Sequence, residues 1–136
     1  MLQTTSFNLD GTISLWIEYK YEETSGKLDG STTFHADGSV YYTTEYLFDE
    51  TTGNMVRATS YRVDGSKIYE HIFDSATEIE LKFLSYSANG NMAMEEEFDS
   101  TTGEVIKVIH YKTDGSISWG YVNEYDPKTG KKTSSL

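Results

Sequence analysis

Five Asp-Gly or Asn-Gly pairs punctuate the chain, at 10–11, 37–38, 64–65, 89–90 and 114–115, with spacings of 27, 27, 25 and 25 residues. Between them runs a second turn signal: an aromatic, an acid and a short polar stretch that usually ends in glycine. It reads YEETSGK (21–27), FDETTGN (48–54), FDSATEI (73–79), FDSTTGE (98–104) and YDPKTGK (125–131), the last holding the only proline, Pro127. Four times, 11 residues separate the end of this signal (Gly26, Gly53, Glu78, Gly103) from the next Asp or Asn. Self-similarity at a fixed period defines a repeat architecture. The eight to ten residues between turns are rich in Tyr, Phe, Val, Ile and Thr, as strands between hairpin turns are. The expected fold is therefore all-β. It is an up-and-down antiparallel meander of about ten strands, built from five hairpin repeats in a single domain over residues 1–136. Glu78 stands where the other turns have glycine, which predicts a turn of different shape.

The length of the Asp-Gly loops fixes which residues share a face. A three-residue loop puts the aromatics that precede each turn (Phe7, Phe34, Tyr61, Tyr86, Tyr111) on one face with Leu15, Ile17, Tyr42, Tyr69, Met92, Met94, Trp119 and Tyr121. The opposite face is then mostly polar: Ser14, Glu18, Thr43, Glu45, Ser66, Glu70, Glu95 and Ser118. One dry and one wet face is the usual antiparallel arrangement, so the three-residue loop is expected. Ten strands about 4.8 Å apart and roughly 30 Å long expose an aromatic face on the order of 1,400 Å². Monomers seldom expose more than roughly 600 Å² in one patch. The expected solution is closure into a barrel, or strong curling, with the aromatic face inside; the alternative is an open sheet or sandwich dimerising face to face.

The aromatic-Asp-x-x-Thr-Gly and Tyr-x-x-Asp-Gly-Ser elements resemble tandem hairpin repeats of the YD (Rhs-like) and MORN-like kind, over residues 7–131. This chain departs from the YD pattern in its period and at Glu78. The resemblance implies a structural or binding scaffold: a shell around a toxin, or a docking surface for proteins or membranes.

Composition narrows the function. There is no cysteine, so neither a disulfide frame nor a thiolate metal site is available. A net charge of −11 argues against nucleic acid, which needs clustered Lys and Arg. No apolar run is long enough to span a bilayer as a helix, and the start, MLQTTSFNLDG, lacks the features of a signal peptide. A cytoplasmic protein without a membrane partner is expected, as monomer or homodimer.

Aligning the repeats two residues before the turn aromatic gives Tyr19, Tyr46, His71, Glu96 and Asn123, all on the expected inner face. Such a layer forms a polar belt in an aromatic chamber, the usual form of a ligand site. With Tyr42, Tyr69, Trp119 and Tyr121 it outlines a site for a small hydrophobic or aromatic ligand in a non-catalytic binding domain. His71 and Glu96 are the catalytic candidates if the domain is instead a cyclase- or isomerase-type enzyme, as base and orienter. A further alternative is an acidic, immunity-type module that binds a basic protein, with the Glu18, Glu45, Glu70 and Glu95 ladder on the outer face. His35 and His110 are placed on that outer face too. No cofactor motif is present, and no metal-ligand spacing joins the histidines.

Overall fold

A computed structural model describes residues 3–125, 128–129 and 132–134. Asp126, Pro127, Gly130 and Lys131 of the fifth aromatic-acid turn lie outside the described residues, as do Ser135 and Leu136. Ten strands follow one another in chain order: β1 (Gln3–Phe7), β2 (Ile13–Tyr21), β3 (Leu28–His35), β4 (Val40–Phe48), β5 (Met55–Arg62), β6 (Lys67–Phe73), β7 (Glu80–Tyr86), β8 (Met92–Phe98), β9 (Val105–Tyr111) and β10 (Ile117–Val122). Each pairs antiparallel with the next in one sheet, and a short β11 (Glu124–Tyr125) pairs with β12 (Lys132–Ser134). The tandem hairpin repeat read from the turns is what the chain forms.

The turn chemistry explains the repeat. In each Asp-Gly or Asn-Gly hairpin three residues separate a closing pair, such as Arg62 and Ser66, and the glycine takes a positive φ (Gly65, 88°). This is the expected three-residue loop, with glycine in the left-handed position of a G1 bulge. In the Asp-Gly-Ser and Asp-Gly-Thr turns the carboxylate accepts from the N–H and hydroxyl of the residue after glycine; Asp64 Oδ1 takes Ser66 N at 2.8 Å and Oγ at 2.6 Å. The other turns hold four residues between closing pairs such as Asp49 and Asn54, and Asp49 Oδ1 accepts the N–H groups of Thr51 and Thr52. The turn at Glu78 keeps this same shape, contrary to expectation: Glu78 itself adopts φ 63° and donates to the Asp74 carbonyl, as Gly53 does to Asp49.

The faces depart from the sequence reading. After each three-residue loop the returning strand carries one extra residue, at Ser14, Tyr41, Ile68, Ala93 and Ser118. Each such bulge reverses the parity that the loop had set. Phe34, Tyr61, Tyr86 and Tyr111 therefore share a face with Trp16, Glu18, Glu45, Glu70 and Glu95, not with Tyr42 and Tyr69. The same shift brings His35 and His110 onto the tyrosine face, opposite Leu15 and Trp119, and corrects their outer-face placement.

The sheet does not close into a barrel. Strands β1 and β10 lie at opposite edges of the sheet order. Closure needs a register stagger that tilts the strands. Here Ser60, Tyr69, Ser85, Met94, His110 and Trp119 form one row across β5–β10, each four residues from its Asp/Asn or Gly turn residue. No stagger accumulates over that stretch. Only the first two repeats, two residues longer, add any. An open sheet of this kind has almost no interior: Ala58 and Val108 are the buried apolar residues among those described. The accessible surface is 8805 Å², against ~7,200 Å² for a compact chain of this mass.

Side chains that clamp neighbouring hairpins together take the place of a core. Arg62 donates from Nη2 to the Tyr86 carbonyl at 2.9 Å and from Nη1 to the Lys67 carbonyl, tying two Asp/Asn-Gly turns. Asn89 and Asn91 both reach the Thr113 carbonyl at 2.9 Å, and Asn54 reaches that of Ser75 at 2.8 Å.

Candidate functional site

The tyrosine face holds every residue singled out above for the ligand site: Tyr19, Tyr42, Tyr46, Tyr69, His71, Glu96, Trp119 and Tyr121 by strand register, and Asn123 where the chain leaves β10. They do not enclose a chamber. They line an open surface that is corrugated over β2–β6, because large and small side chains alternate there from strand to strand. Leu15, Ile17 and Tyr19 on β2, Tyr42 and Tyr46 on β4, and Tyr69 and His71 on β6 stand as ridges. Ser31 and Thr33 on β3 and Ala58 and Ser60 on β5 are buried between them as furrow floors. Two of the polar floor residues are bonded to the strands beside them: Ser60 Oγ lies 2.8 Å from Thr44 Oγ1, and Ser31 Oγ 3.3 Å from Tyr46 OH. Burial, foremost, pushes the Tyr69 hydroxyl above its ordinary pKa.

The rings form a contiguous strip. His35 stacks on Tyr41 (4.6 Å between centroids), Tyr41 meets Tyr42 (5.0 Å), Tyr42 meets Tyr69 (6.5 Å), and Tyr69 meets His71 (5.6 Å) and Phe83 (6.1 Å). A second cluster at the β10 edge stacks His110 on Trp119 at 4.1 Å and Trp119 on Tyr121 at 6.3 Å. All three histidines of the chain thus lie against aromatic rings on this one face. A shallow groove of about 920 Å³ runs between Leu15, Val40, Tyr42, Val63 and Tyr69, and a smaller hollow of about 240 Å³ sits over the furrow floors.

The acid beside His71 is Glu80, with Nδ1 and Oε1 2.6 Å apart. Glu96 stands two strands from His71, with Phe83 between them in the same row. Glu80 escaped the sequence reading because it follows a turn and adjoins a bulge at Leu81, so no repeat alignment brings it opposite His71. Asn123 is pinned to β9: its N–H donates to the Ile106 carbonyl and Nδ2 to that of Val105, while Oδ1 is buried without a partner. Among the described residues no group of three His, Asp or Glu is arranged to hold a metal ion.

The opposite, glutamate face is tied up internally. Tyr61, Tyr86 and Tyr111 donate to Glu45, Glu70 and Glu95, each pair 16 residues apart in sequence. Glu70 also holds Lys67 at 2.6 Å, and Lys82 and Lys107 bridge Glu95 and Glu97. Burial raises the Glu70 carboxyl, but hydrogen bonds from Lys67 and Tyr86 and the charges of Lys67 and Arg57 outweigh it and hold its pKa below the ordinary value.

These features define a class: an open, single-layer antiparallel sheet of tandem hairpins with one aromatic face and one self-neutralised charged face. The chain belongs to the family described as protein of unknown function (DUF2963), whose pattern matches it twice in tandem, over residues 34–83 and 86–135. Each match spans two Asp/Asn-Gly hairpins and opens at a turn aromatic, Phe34 or Tyr86. No curated protein matches the chain. Among solved structures it is similar to a Photorhabdus luminescens Tc holotoxin pore, at 13% identity and TM-score 0.37, covering 98% of this chain and 9% of that one. A TcdB2-TccC3-Cdc42 crystal structure is 9% identical with TM-score 0.26, covering 96% of this chain and 10% of that one. The chain therefore spans about a tenth of the length of these two. A Bacteroides fragilis protein of unknown function is 8% identical with TM-score 0.24, covering 88% and 90% of the two chains.

Proposed function

We propose that the domain is a non-catalytic binding module that takes a hydrophobic or aromatic partner on its tyrosine face. The observation that carries this reading is the contiguous ring strip from His35 to Phe83 on an open face. Trp119 at 53% and Tyr41 at 47% exposure lie on that face as well. A contiguous apolar patch of this size marks an interaction surface. The shallow groove favours a partner surface over a small ligand, because small-molecule sites bury most of their ligand in a concave pocket. The Glu ladder is less suited to a basic partner, since Glu70 and Glu95 are already engaged by lysines of the same face.

The test is a titration of the apolar fluorophore Nile red against submicromolar protein. Fluorescence should rise with wild type and fall several-fold in the combined variant Tyr42→Ser, Tyr69→Ser, Trp119→Ser. Equal fluorescence from a folded triple variant would exclude the tyrosine face as the binding surface.

A further inference from the structure

We infer that the occupant of the tyrosine face is a second copy of this chain, packed face to face with ridges seated in furrows; this rests on the reading of that face as a binding surface. The corrugation is the first argument. Ridges of large side chains stand on even strands (β2, β4, β6), and the deepest furrows run along odd strands (β3, β5). Ridges are two strands, about 9.6 Å, apart. A two-fold axis parallel to the strands, between β5 and β6, turns even strands onto odd ones. It lays Tyr69 and His71 of β6 over Ser60 and Ala58 of the second copy's β5, the central ridge in the central furrow, and brings Tyr46 of β4 ring to ring against Phe83 of its β7. A surface complementary to itself in this way is what an isologous dimer needs. Sheets pack about 10 Å apart with strands nearly aligned, a separation that interdigitated tyrosines fill.

Area is the second argument. Ten strands of about seven residues present roughly 1,100 Å² per face, above the roughly 800 Å² per partner of a stable interface. Charge distribution is the third. Despite a net charge of −11, the tyrosine face carries few formal charges. Arg62 binds backbone carbonyls and Glu80 is held by His71, leaving Glu96, which makes no ion pair among the described residues. The turn aspartates point to the hairpin ends, where their carboxylates cap their own loops. Association of two such copies is driven by apolar burial and opposed by net charge, so it tightens as salt rises, the reverse of binding to a basic protein.

Sedimentation equilibrium of the full chain tests this, over about 1 to 100 μM at low and high salt, since interfaces of this size range from micromolar to picomolar affinity. The expected result is twice 15.4 kDa for wild type, more so at high salt. Tyr69→Lys on the face should give 15.4 kDa, and Leu47→Lys on the opposite face should leave the dimer intact. Tyr42→Lys replaces Tyr69→Lys if circular dichroism shows the latter unfolded. A wild type that stays at 15.4 kDa throughout overturns the inference. If that monomer still binds Nile red through Tyr42 and Tyr69, the face remains a binding surface for another partner. If it does not, both readings fail. A dimer that survives Tyr69→Lys and Tyr42→Lys would place the contact elsewhere, at a sheet edge or on the glutamate face, and also overturns the inference.

Discussion

The hydroxyl of Tyr86 donates to Glu70 Oε1 at 2.8 Å, across two strands of the glutamate face. Glu70 is 4% exposed, and Lys67 approaches the same oxygen at 2.6 Å. Deleting one partner of a buried charged group leaves the group short of a bond, which costs more than the bond itself adds. Tyr86→Phe should therefore lower unfolding free energy by about 1–3 kcal/mol, whereas Tyr61→Phe, whose acceptor Glu45 is exposed and 3.3 Å away, should cost about 0.5 kcal/mol or less. Urea unfolding with an unchanged m-value would measure both. Equal losses would show that burial of Glu70 does not set the cost.

The same pair makes stability fall at both ends of the pH scale. Glu70 has a folded pKa below its ordinary 4.5. Its contribution is complete above the unfolded value and fades as pH drops through the folded one. Tyr86 is pushed up to about 12 by burial and by its bond to Glu70. Its contribution is complete below the ordinary value of 10.0 and is lost as pH climbs from there toward about 12. Melts of Glu70→Gln should show a shallower acid limb, and those of Tyr86→Phe a shallower alkaline limb. An unchanged alkaline limb in Tyr86→Phe would exclude this tyrosine as its source.

Glu78 occupies, at φ 63°, the left-handed position that Gly26, Gly53 and Gly103 fill in the other described four-residue turns. A residue with a Cβ there costs about 1–2 kcal/mol, part of which the entropy of an introduced glycine cancels. Glu78→Gly should stabilise the protein by about 0.5–1 kcal/mol. Gly53→Ala, at φ 77° with open space around it, should destabilise by about 1 kcal/mol. Thermal melts of the two variants should shift in opposite directions; a fall in both would mean that the Glu78 side chain contributes something that its backbone conformation does not show.

Much of this was legible in the sequence. The Asp-Gly and Asp-x-x-Thr-Gly signals gave strand number, strand order and loop length, because each turn carries its own chemistry in its own residues. Face assignment failed at one step. The extra residues after the turns, Ser14, Tyr41, Ile68, Ala93 and Ser118, are of four different types, so nothing in composition marks a bulge there. That one-residue insertion moved five turn aromatics and two histidines between faces. One missed signal was present: Glu45, Glu70 and Glu95 each precede a tyrosine by 16 residues, a spacing that identifies the Tyr–Glu bonds. Glu18 stands 16 residues before Phe34, which has no hydroxyl to give; there Phe34 stacks on Trp16 instead. For β5–β10 the lack of stagger was equally implicit in the two 25-residue spacings that follow Asp64.

Two strand glycines lie in one cross-strand row on the glutamate face, Gly30 between Lys20 and Glu45 and Gly120 opposite Ile109. A Cβ at Gly30 would lie 2.8 Å from the Thr44 carbonyl oxygen, and one at Gly120 2.7 Å from that of Val108. Both obstacles are backbone, fixed in the strands they belong to, so the clash is relieved only by moving a strand. Gly30→Ala and Gly120→Ala should each cost about 1–3 kcal/mol, the range for overpacking a site that cannot yield. The loss arises in the folded sheet and not from a left-handed φ, which separates these variants from Gly53→Ala. Hydrogen exchange should reveal the difference. Gly30→Ala should speed exchange along β3 and β4, and Gly120→Ala along β9 and β10, whereas Gly53→Ala should act mainly at its own turn. Uniform acceleration over the whole sheet in the Gly30 and Gly120 variants would instead mean that strand displacement spreads through the clamped hairpins as one cooperative unit.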